Sequence, residues 1–335
     1  MSDELLSVEG VRVHFPLAVG GLLHRRIVPL KAVDGVSFAL AAGETLGLVG
    51  ESGCGKSTLG RAILRLLEPT GGRVVWQGED LGALDANAMR RRRREMQIIF
   101  QDPLASLNPR MTIGDIIAEP LVTHEPQLRR AEVKARVRGM MAKTGLLPQM
   151  INRYPHEFSG GQCQRIGVAR AMILNPKLIV CDEPVSALDV SIQAQIINLL
   201  MELQRSFGLS LLFISHDLSV VRHISQRILV LYLGRMMELA DSASLYRNSR
   251  HPYTRALISA VPVPDPRRER EKRRIVLGGD LPSPLDPPSG CVFRTRCPLA
   301  IEVCAREVPR VERVGAGHYV ACHRWREVGR VEPSG

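Results

Sequence analysis

Residues 50–57 read Gly-Glu-Ser-Gly-Cys-Gly-Lys-Ser, a Gly-x4-Gly-Lys-Ser string that directly follows the strand-like run Thr45-Leu46-Gly47-Leu48-Val49. Gly50, Gly53 and Gly55 let the backbone turn tightly, so that successive N–H groups converge on one anion. A helix starting near Lys56 adds its positive N-terminal end. Lys56 is expected to reach the β- and γ-phosphates of a nucleoside triphosphate, and the Ser57 hydroxyl to ligate Mg²⁺. The expected cradle is therefore Gly50, Glu51, Ser52, Gly53, Cys54, Gly55, Lys56, Ser57 and Thr58. Gly-rich strand-to-helix turns also occur without ligands, but the Lys-Ser ending and the strand in front argue for phosphate.

Four more strings follow in order. They are Phe158-Ser159-Gly160-Gly161-Gln162-Cys163-Gln164-Arg165, then Leu178-Ile179-Val180-Cys181-Asp182-Glu183, then Ser186-Ala187-Leu188-Asp189, then Leu211-Leu212-Phe213-Ile214-Ser215-His216. Ser-Gly-Gly-Gln alone is a weak tetrapeptide. In this order and spacing the set resembles the ATP-binding cassette family, over roughly residues 5–260. Asp182, ending an apolar strand, would hold Mg²⁺ through water, and Glu183 beside it would polarise the attacking water as general base. The bland alternative is a solvated strand exit. His216 ends another apolar strand, from which a hydrogen bond to the γ-phosphate is easy. The resemblance implies that Gln101, after the short strand Gln97-Ile98-Ile99-Phe100, contacts Mg²⁺ and the nucleophilic water. It also implies that Ser159, Gly160, Gly161 and Gln162 meet the γ-phosphate bound by a partner cassette, and that Asp189 lies at the seam between the two. An aromatic near the start of such a domain stacks on adenine. The candidate is Phe15, whose competing role is a core-facing residue in an edge strand.

These residues need elements to position them. The sequence predicts strands over 5–15, 33–40 and 44–49, a helix over 56–66 and a strand over 73–76. It predicts a mostly helical stretch over 112–145 with a break at Pro120. Helix 160–173, strand 178–182, helix 189–207, strand 210–215, helix 217–223 and strand 227–232 follow. Such alternation argues for an α/β fold with a largely parallel sheet covered by helices. The expected architecture is a P-loop NTPase core of the ATP-binding-cassette type, with N-terminal antiparallel strands and a helical subdomain at about 103–173. The cassette spans 1–250, and a small Cys/Pro-rich C-terminal extension spans 251–335. There is no internal repeat, so the chain carries one cassette.

The bulk numbers set limits. At 335 residues the chain can bury a large core. Apolar residues make up 45 % and aromatics only 4 %. No apolar run approaches the roughly 18–20 residues needed to span a bilayer, and Met1-Ser2-Asp3-Glu4 lacks an apolar signal core. A cytosolic chain at the cytoplasmic face of the inner membrane is expected, peripheral to a pore made by other chains. The formal charge of +11 suits nucleic acid or an anionic membrane face. The run Arg90–Arg94 reads as a solvated helix surface, since little aromatic residue is interleaved to stack on bases.

After about residue 250 the composition turns to Pro, Arg and Cys. Proline at this density blocks long helices and ladders, so a loop-rich appendage is expected. His251-Pro252-Tyr253-Thr254-Arg255-Ala256-Leu257, Leu281-Pro282-Ser283-Pro284-Leu285 and Gly290-Cys291 resemble the C-terminal extension of ATPase subunits of bacterial dipeptide and oligopeptide importers, in particular the second ATPase of the dipeptide type. The resemblance implies Mg²⁺-dependent ATP hydrolysis, a homologous ATPase partner in a heterodimer, two permease subunits and an extracytoplasmic binding protein. Nickel or another small solute is the alternative cargo. A nucleic-acid machine is the other class, but such cassettes insert a coiled coil or zinc module where this chain has only about 100 residues and no heptads. Translation-associated relatives carry two cassettes per chain.

Seven cysteines remain to be explained. Cys54, Cys163 and Cys181 lie inside the ATPase strings and read as small packing residues. Cys291, Cys297, Cys304 and Cys322 crowd a core-poor tail, where a reducing cytosol disfavours disulfides. Zinc usually shows a tight Cys-x2-Cys pair, which these spacings lack. A [4Fe–4S] cluster, whose corners are spread apart, fits them better, with Arg294 and Arg296 offsetting its charge. Zinc and plain thiols are the alternatives, and His318 and His323 are reserve ligands. The importer resemblance points to the cluster.

Overall fold

Short Val-, Ile- and Leu-rich runs become strands, and Asp, Ser and Thr residues cap the helices between them. The structure is a computed structural model that describes residues 4–19, 26–262, 265–271 and 274–328. In chain order its elements are β1 (Glu4–Val19), β2 (Arg26–Ala41), β3 (Thr45–Val49), α1 (Lys56–Ile63), β4 (Gly71–Trp76), β5 (Glu79–Asp80), α2 (Ala86–Arg93) and β6 (Met96–Ile99). Then come α3 (Ile113–His124), α4 (Arg130–Lys143), α5 (Gly160–Met172), β7 (Leu178–Asp182), α6 (Val190–Phe207), β8 (Ser210–Ile214) and α7 (Leu218–Ile224). The chain continues with β9 (Arg227–Tyr232), β10 (Arg235–Asp241), α8 (Ser242–Asn248), α9 (Pro252–Ala260), α10 (Pro266–Glu271), α11 (Glu302–Arg306), β11 (Glu312–Gly315) and β12 (His318–Val320). It forms two compact units. One holds Leu40–Thr45 and Asp80–Ser215, and the other Leu6–Ala39, Leu46–Glu79 and the chain from His216 onward.

In the first unit β8, β7 and β6 are parallel neighbours, with Val180 opposite both Leu212 and Ile98. Every residue of β7 and β8 is buried, as expected of parallel strands covered on both faces. Ile196, Leu199, Leu200 and Leu203 form the buried stripe of α6, at the spacing of one helix face. Helix α3 runs unbroken through Pro120, which corrects the expected break. A mid-helix proline costs about 3 kcal/mol. Burial of Ile113, Ile116, Ile117 and Leu121, at about 1.5–3 kcal/mol per large apolar side chain, outweighs it, and the helix ends instead at Glu125. The arginine run is also more than a solvated face. Arg90 donates to the Thr123 carbonyl (3.2 Å), while Arg94 and Arg136 both bind the buried Glu125 carboxylate, tying α2 to α3 and α4.

In the second unit β11, β12, β10, β9 and β3 lie in that order. Only β3 and β9 are parallel; the other neighbouring pairs are antiparallel. Strand β1 pairs antiparallel with β4. Strands β1 and β2 are 16 residues each, longer than expected, because both run on into the Gly- and Arg-containing stretch of residues 18–29; residues 20–25 of it lie outside the described residues. The tail is less loop-like than its prolines suggest. Pro252 sits at the first turn of α9, where its missing N–H costs nothing, and β12 adds to β10 with Glu238 opposite Val320. Among the described residues no helix is long and apolar enough to cross a membrane.

Candidate functional site

The second unit carries the glycine-rich loop between β3 and α1. Gly50, Gly53 and Gly55 have φ of 155°, 75° and 103°, the left-handed region that glycine adopts freely. Two of them are also sterically required. A Cβ at Gly50 would lie 2.2 Å from the Leu231 carbonyl oxygen, and one at Gly55 2.0 Å from that of Ala32. The Lys56 Nζ, in a buried side chain, donates to the carbonyls of Gly50 (2.8 Å) and Glu51 (3.0 Å). Ser57 and Thr58 occupy the next positions of α1. Glu51 is held from outside the loop: its N–H donates to the Tyr253 hydroxyl (2.9 Å) and its carboxylate accepts from Arg296 (2.7 Å).

The first unit presents the carboxylates. Asp182 is the last, buried residue of β7. Glu183 follows in a left-handed conformation, φ 47°, its N–H donating to the Ile214 carbonyl (3.1 Å). A non-glycine residue with positive φ costs energy, which the fold must offset to aim that side chain. Gln101, two residues beyond β6, donates from Nε2 to the Glu183 carboxylate at 3.0 Å, so these two expected site residues meet across parallel strands. His216 lies two residues beyond β8.

Ser159 caps α5 through a capping box, its hydroxyl accepting from the Gln162 N–H while the Gln162 side-chain Oε1 accepts from the Ser159 N–H (3.0 Å). Gly161 has a packing reason that sequence reading missed: a Cβ there would meet Ile192 Cγ2 at 2.5 Å. Gly160 has room for one. Asp189 caps α6 by accepting from the Ile192 N–H (3.1 Å) and the Ser191 hydroxyl (2.7 Å), bonds that hold its carboxyl below the usual range. Phe15 is half-buried, unlike the fully buried Val11 and Val13, so it is not part of the apolar core.

Cys54, Cys163 and Cys181 are buried, as packing residues should be. The four tail cysteines, Cys291, Cys297, Cys304 and Cys322, line one small cavity together with Phe293 and Arg324. Burial pushes the Cys297 thiol up to about 11 and Cys322 up to about 12, and raises Cys291. Among the described residues no three His, Cys, Asp or Glu side chains form a group that could hold a metal ion. Two expected roles change. His318 pairs with the buried Glu238 at 2.8 Å and does not line the cavity. Arg296 turns to Glu51, while Arg294 and Arg324 line the cavity. His323 also lines it, with Nε2 donating to the Glu307 carbonyl (3.0 Å).

Comparison with known proteins agrees with this geometry. The model of the ABC transporter family matches residues 33–186, and that of the oligopeptide/dipeptide transporter C-terminal region matches residues 237–304. The oligopeptide transport ATP-binding protein OppF of Salmonella typhimurium is 60% identical over 319 residues, 95% of each chain. The oligopeptide transport ATP-binding protein AppF of Bacillus subtilis is 55% identical over 322 residues, 96% of this chain and 97% of its own. A solved dimeric ATP-binding cassette in a post-hydrolysis state with ADP and Pi is 28% identical, with TM-score 0.62, over 71% of this chain and 98% of that one. From its two matched regions and its full-length relatives, the chain belongs to the ABC transporter family, as an ATPase cassette that carries the oligopeptide/dipeptide transporter C-terminal region.

Proposed function

We propose that this chain is the ATP-hydrolysing subunit that energises uptake of di- or oligopeptides, working as one cassette of a pair beneath two permease subunits supplied by an extracytoplasmic binding protein. The single observation that carries the reading is the coexistence of a full set of cassette strings with a C-terminal segment of peptide-transporter type. The partner cassette is a homologous ATPase, and the chain sits peripherally on the cytoplasmic face of the membrane. Its surface near Gln101–Ala118 docks the permease. Lys56 and the glycine-rich N–H groups bind the phosphates; Phe15 stacks on adenine. Glu183 takes the proton of the attacking water, Gln101 orients that carboxylate, and His216 hydrogen-bonds the γ-phosphate. Ser159, Gly160, Gly161 and Gln162 serve the partner's nucleotide, with Asp189 at the seam. The hydroxyl of Ser57 and the carboxylate of Asp182 are oxygen donors that suit a hard cation. Mg²⁺, when bound there, neutralises phosphate charge.

The test is cargo. Proteoliposomes holding this chain with its genomically neighbouring subunits should take up a labelled tripeptide in the presence of MgATP and leave nickel outside. Nickel uptake without peptide uptake would favour the alternative cargo and overturn the peptide reading.

The tail cavity is the proposed seat of a [4Fe–4S] cluster held by Cys291, Cys297, Cys304 and Cys322. What supports this reading is that all four tail cysteines line one cavity and that their spacing lacks the tight Cys-x2-Cys pair usual for zinc. Once bound, the cluster links four chain positions covalently and staples a core-poor segment. Anaerobically purified protein should contain about four irons and four sulfides per chain, lost together with absorbance near 400 nm in Cys→Ser variants. One zinc and no sulfide would overturn the cluster and leave a zinc staple.

A further inference from the structure

Glu51 is the second residue of the phosphate loop, and each of its polar groups is engaged. The loop's own Lys56 takes its carbonyl (3.0 Å). The Cys54 N–H also donates to that carbonyl (3.3 Å), and two further partners come from the C-terminal part of the chain. The Tyr253 hydroxyl, from α9, accepts the Glu51 N–H (2.9 Å), and Arg296 Nη1 donates to the Glu51 carboxylate (2.7 Å) across 245 positions of sequence.

Arg296 is built into place. Its side chain is only 10% exposed. The short turn Arg294–Arg296 carries it, with the Arg296 N–H donating to the Phe293 carbonyl (3.0 Å). Its guanidinium lies 6.0 Å from the centroid of the Tyr232 ring, and Nη1 reaches the Tyr232 hydroxyl at 3.5 Å. Tyr232 packs edge-on against Tyr253 (4.7 Å) and Phe293 (5.3 Å). One aromatic cluster thus seats both tail contacts to Glu51. The turn falls between Cys291 and Cys297, both lining the tail cavity.

A carboxylate inside a phosphate cradle repels the ligand unless it is neutralised. Arg's planar fork, always charged, does this and fixes the carboxylate at the same time. We propose that Arg296 is a positioning residue for nucleotide binding, which neutralises Glu51 and, with Tyr253, holds the phosphate loop open to the triphosphate. The inference rests on the loop's role as the nucleotide site. Its consequence is that the Cys-rich tail acts on ATP affinity through one side chain.

Equilibrium binding of a fluorescent ATP analogue to the full chain tests it, together with KM and kcat of the assembled transporter. Arg296→Gln should weaken binding roughly tenfold, the scale of one charge-assisted contact, raising KM while kcat stays near wild type. Arg296→Lys should recover most of the loss. In a Glu51→Gln background, where no carboxylate needs neutralising, Arg296→Gln should cost nothing further, the mark of direct coupling. Iron and sulfide content should match wild type in every variant. Unchanged affinity in Arg296→Gln, or losses that add independently of Glu51, would overturn the proposal. So would a loss that Lys does not relieve and that tracks loss of tail metal, since that is general damage. Lys56→Ala separates the two levels: affinity lost there but unchanged in Arg296→Gln sinks the clamp alone. A wild-type chain with no ATP affinity sinks the nucleotide reading beneath it.

Discussion

Glu183→Gln is expected to lower ATP turnover by about 10²–10⁴-fold, the usual contribution of a positioned general base, while nucleotide affinity stays near wild type. The substitution keeps the volume and the hydrogen-bonding reach of the side chain but removes its basicity. Its neighbour makes the prediction specific. Gln101 Nε2 donates to the Glu183 carboxylate at 3.0 Å, and an amide oxygen at 183 can still accept that bond. The backbone at φ 47° is held by the N–H bond to the Ile214 carbonyl, which the substitution leaves intact. Loss of activity therefore reports chemistry, not a rearranged site. Single-turnover assays should show ATP bound and uncleaved. Turnover near wild type would remove Glu183 as the base.

Lys56→Ala is expected to weaken ATP binding roughly 10–100-fold, because a hydrogen bond to a charged group contributes about 1.5–3 kcal/mol. The amine is buried and donates within its own loop, to the carbonyls of Gly50 and Glu51 and, at 3.9 Å, to the Cys54 sulfur. Its removal also leaves those carbonyls short of a donor, so the loop loses order as well as charge. The two variants thus separate the steps: Glu183→Gln loses hydrolysis with binding kept, and Lys56→Ala loses binding first. Equal affinity of Lys56→Ala and wild type for ATP, measured calorimetrically, would contradict the assignment of the loop.

The parts that local chemistry dictates were legible in the sequence. Apolar β7 and β8 stand at or within one residue of their expected bounds, and Asp189, Asp217 and Ser159 sit at the helix caps where side-chain oxygens belong. Pro120 misled because propensity speaks for one residue, while four buried aliphatics on α3 decide the helix. Strands β11 and β12 escape sequence reading because they are only four and three residues long, and because β12 exists by adding to β10 and β11 by adding to β12. The longest-range contacts were the least legible. Nothing near Arg296 in sequence indicates that it pairs with Glu51, and its run of neighbouring charge suggested service to the cysteines instead. The same limit hid Gly161, whose neighbour Ile192 belongs to another helix.

The central claim is that this cassette hydrolyses ATP in the service of peptide uptake. The most direct measurement is the MgATP hydrolysis rate of the complete detergent-solubilised transporter, with the peptide-loaded binding protein titrated in. The predicted result is a low basal rate that rises with loaded binding protein, stays low with empty binding protein, and vanishes when Glu183→Gln replaces the wild-type chain. A rate indifferent to the loaded binding protein, or one that DNA or RNA stimulates instead, would contradict it.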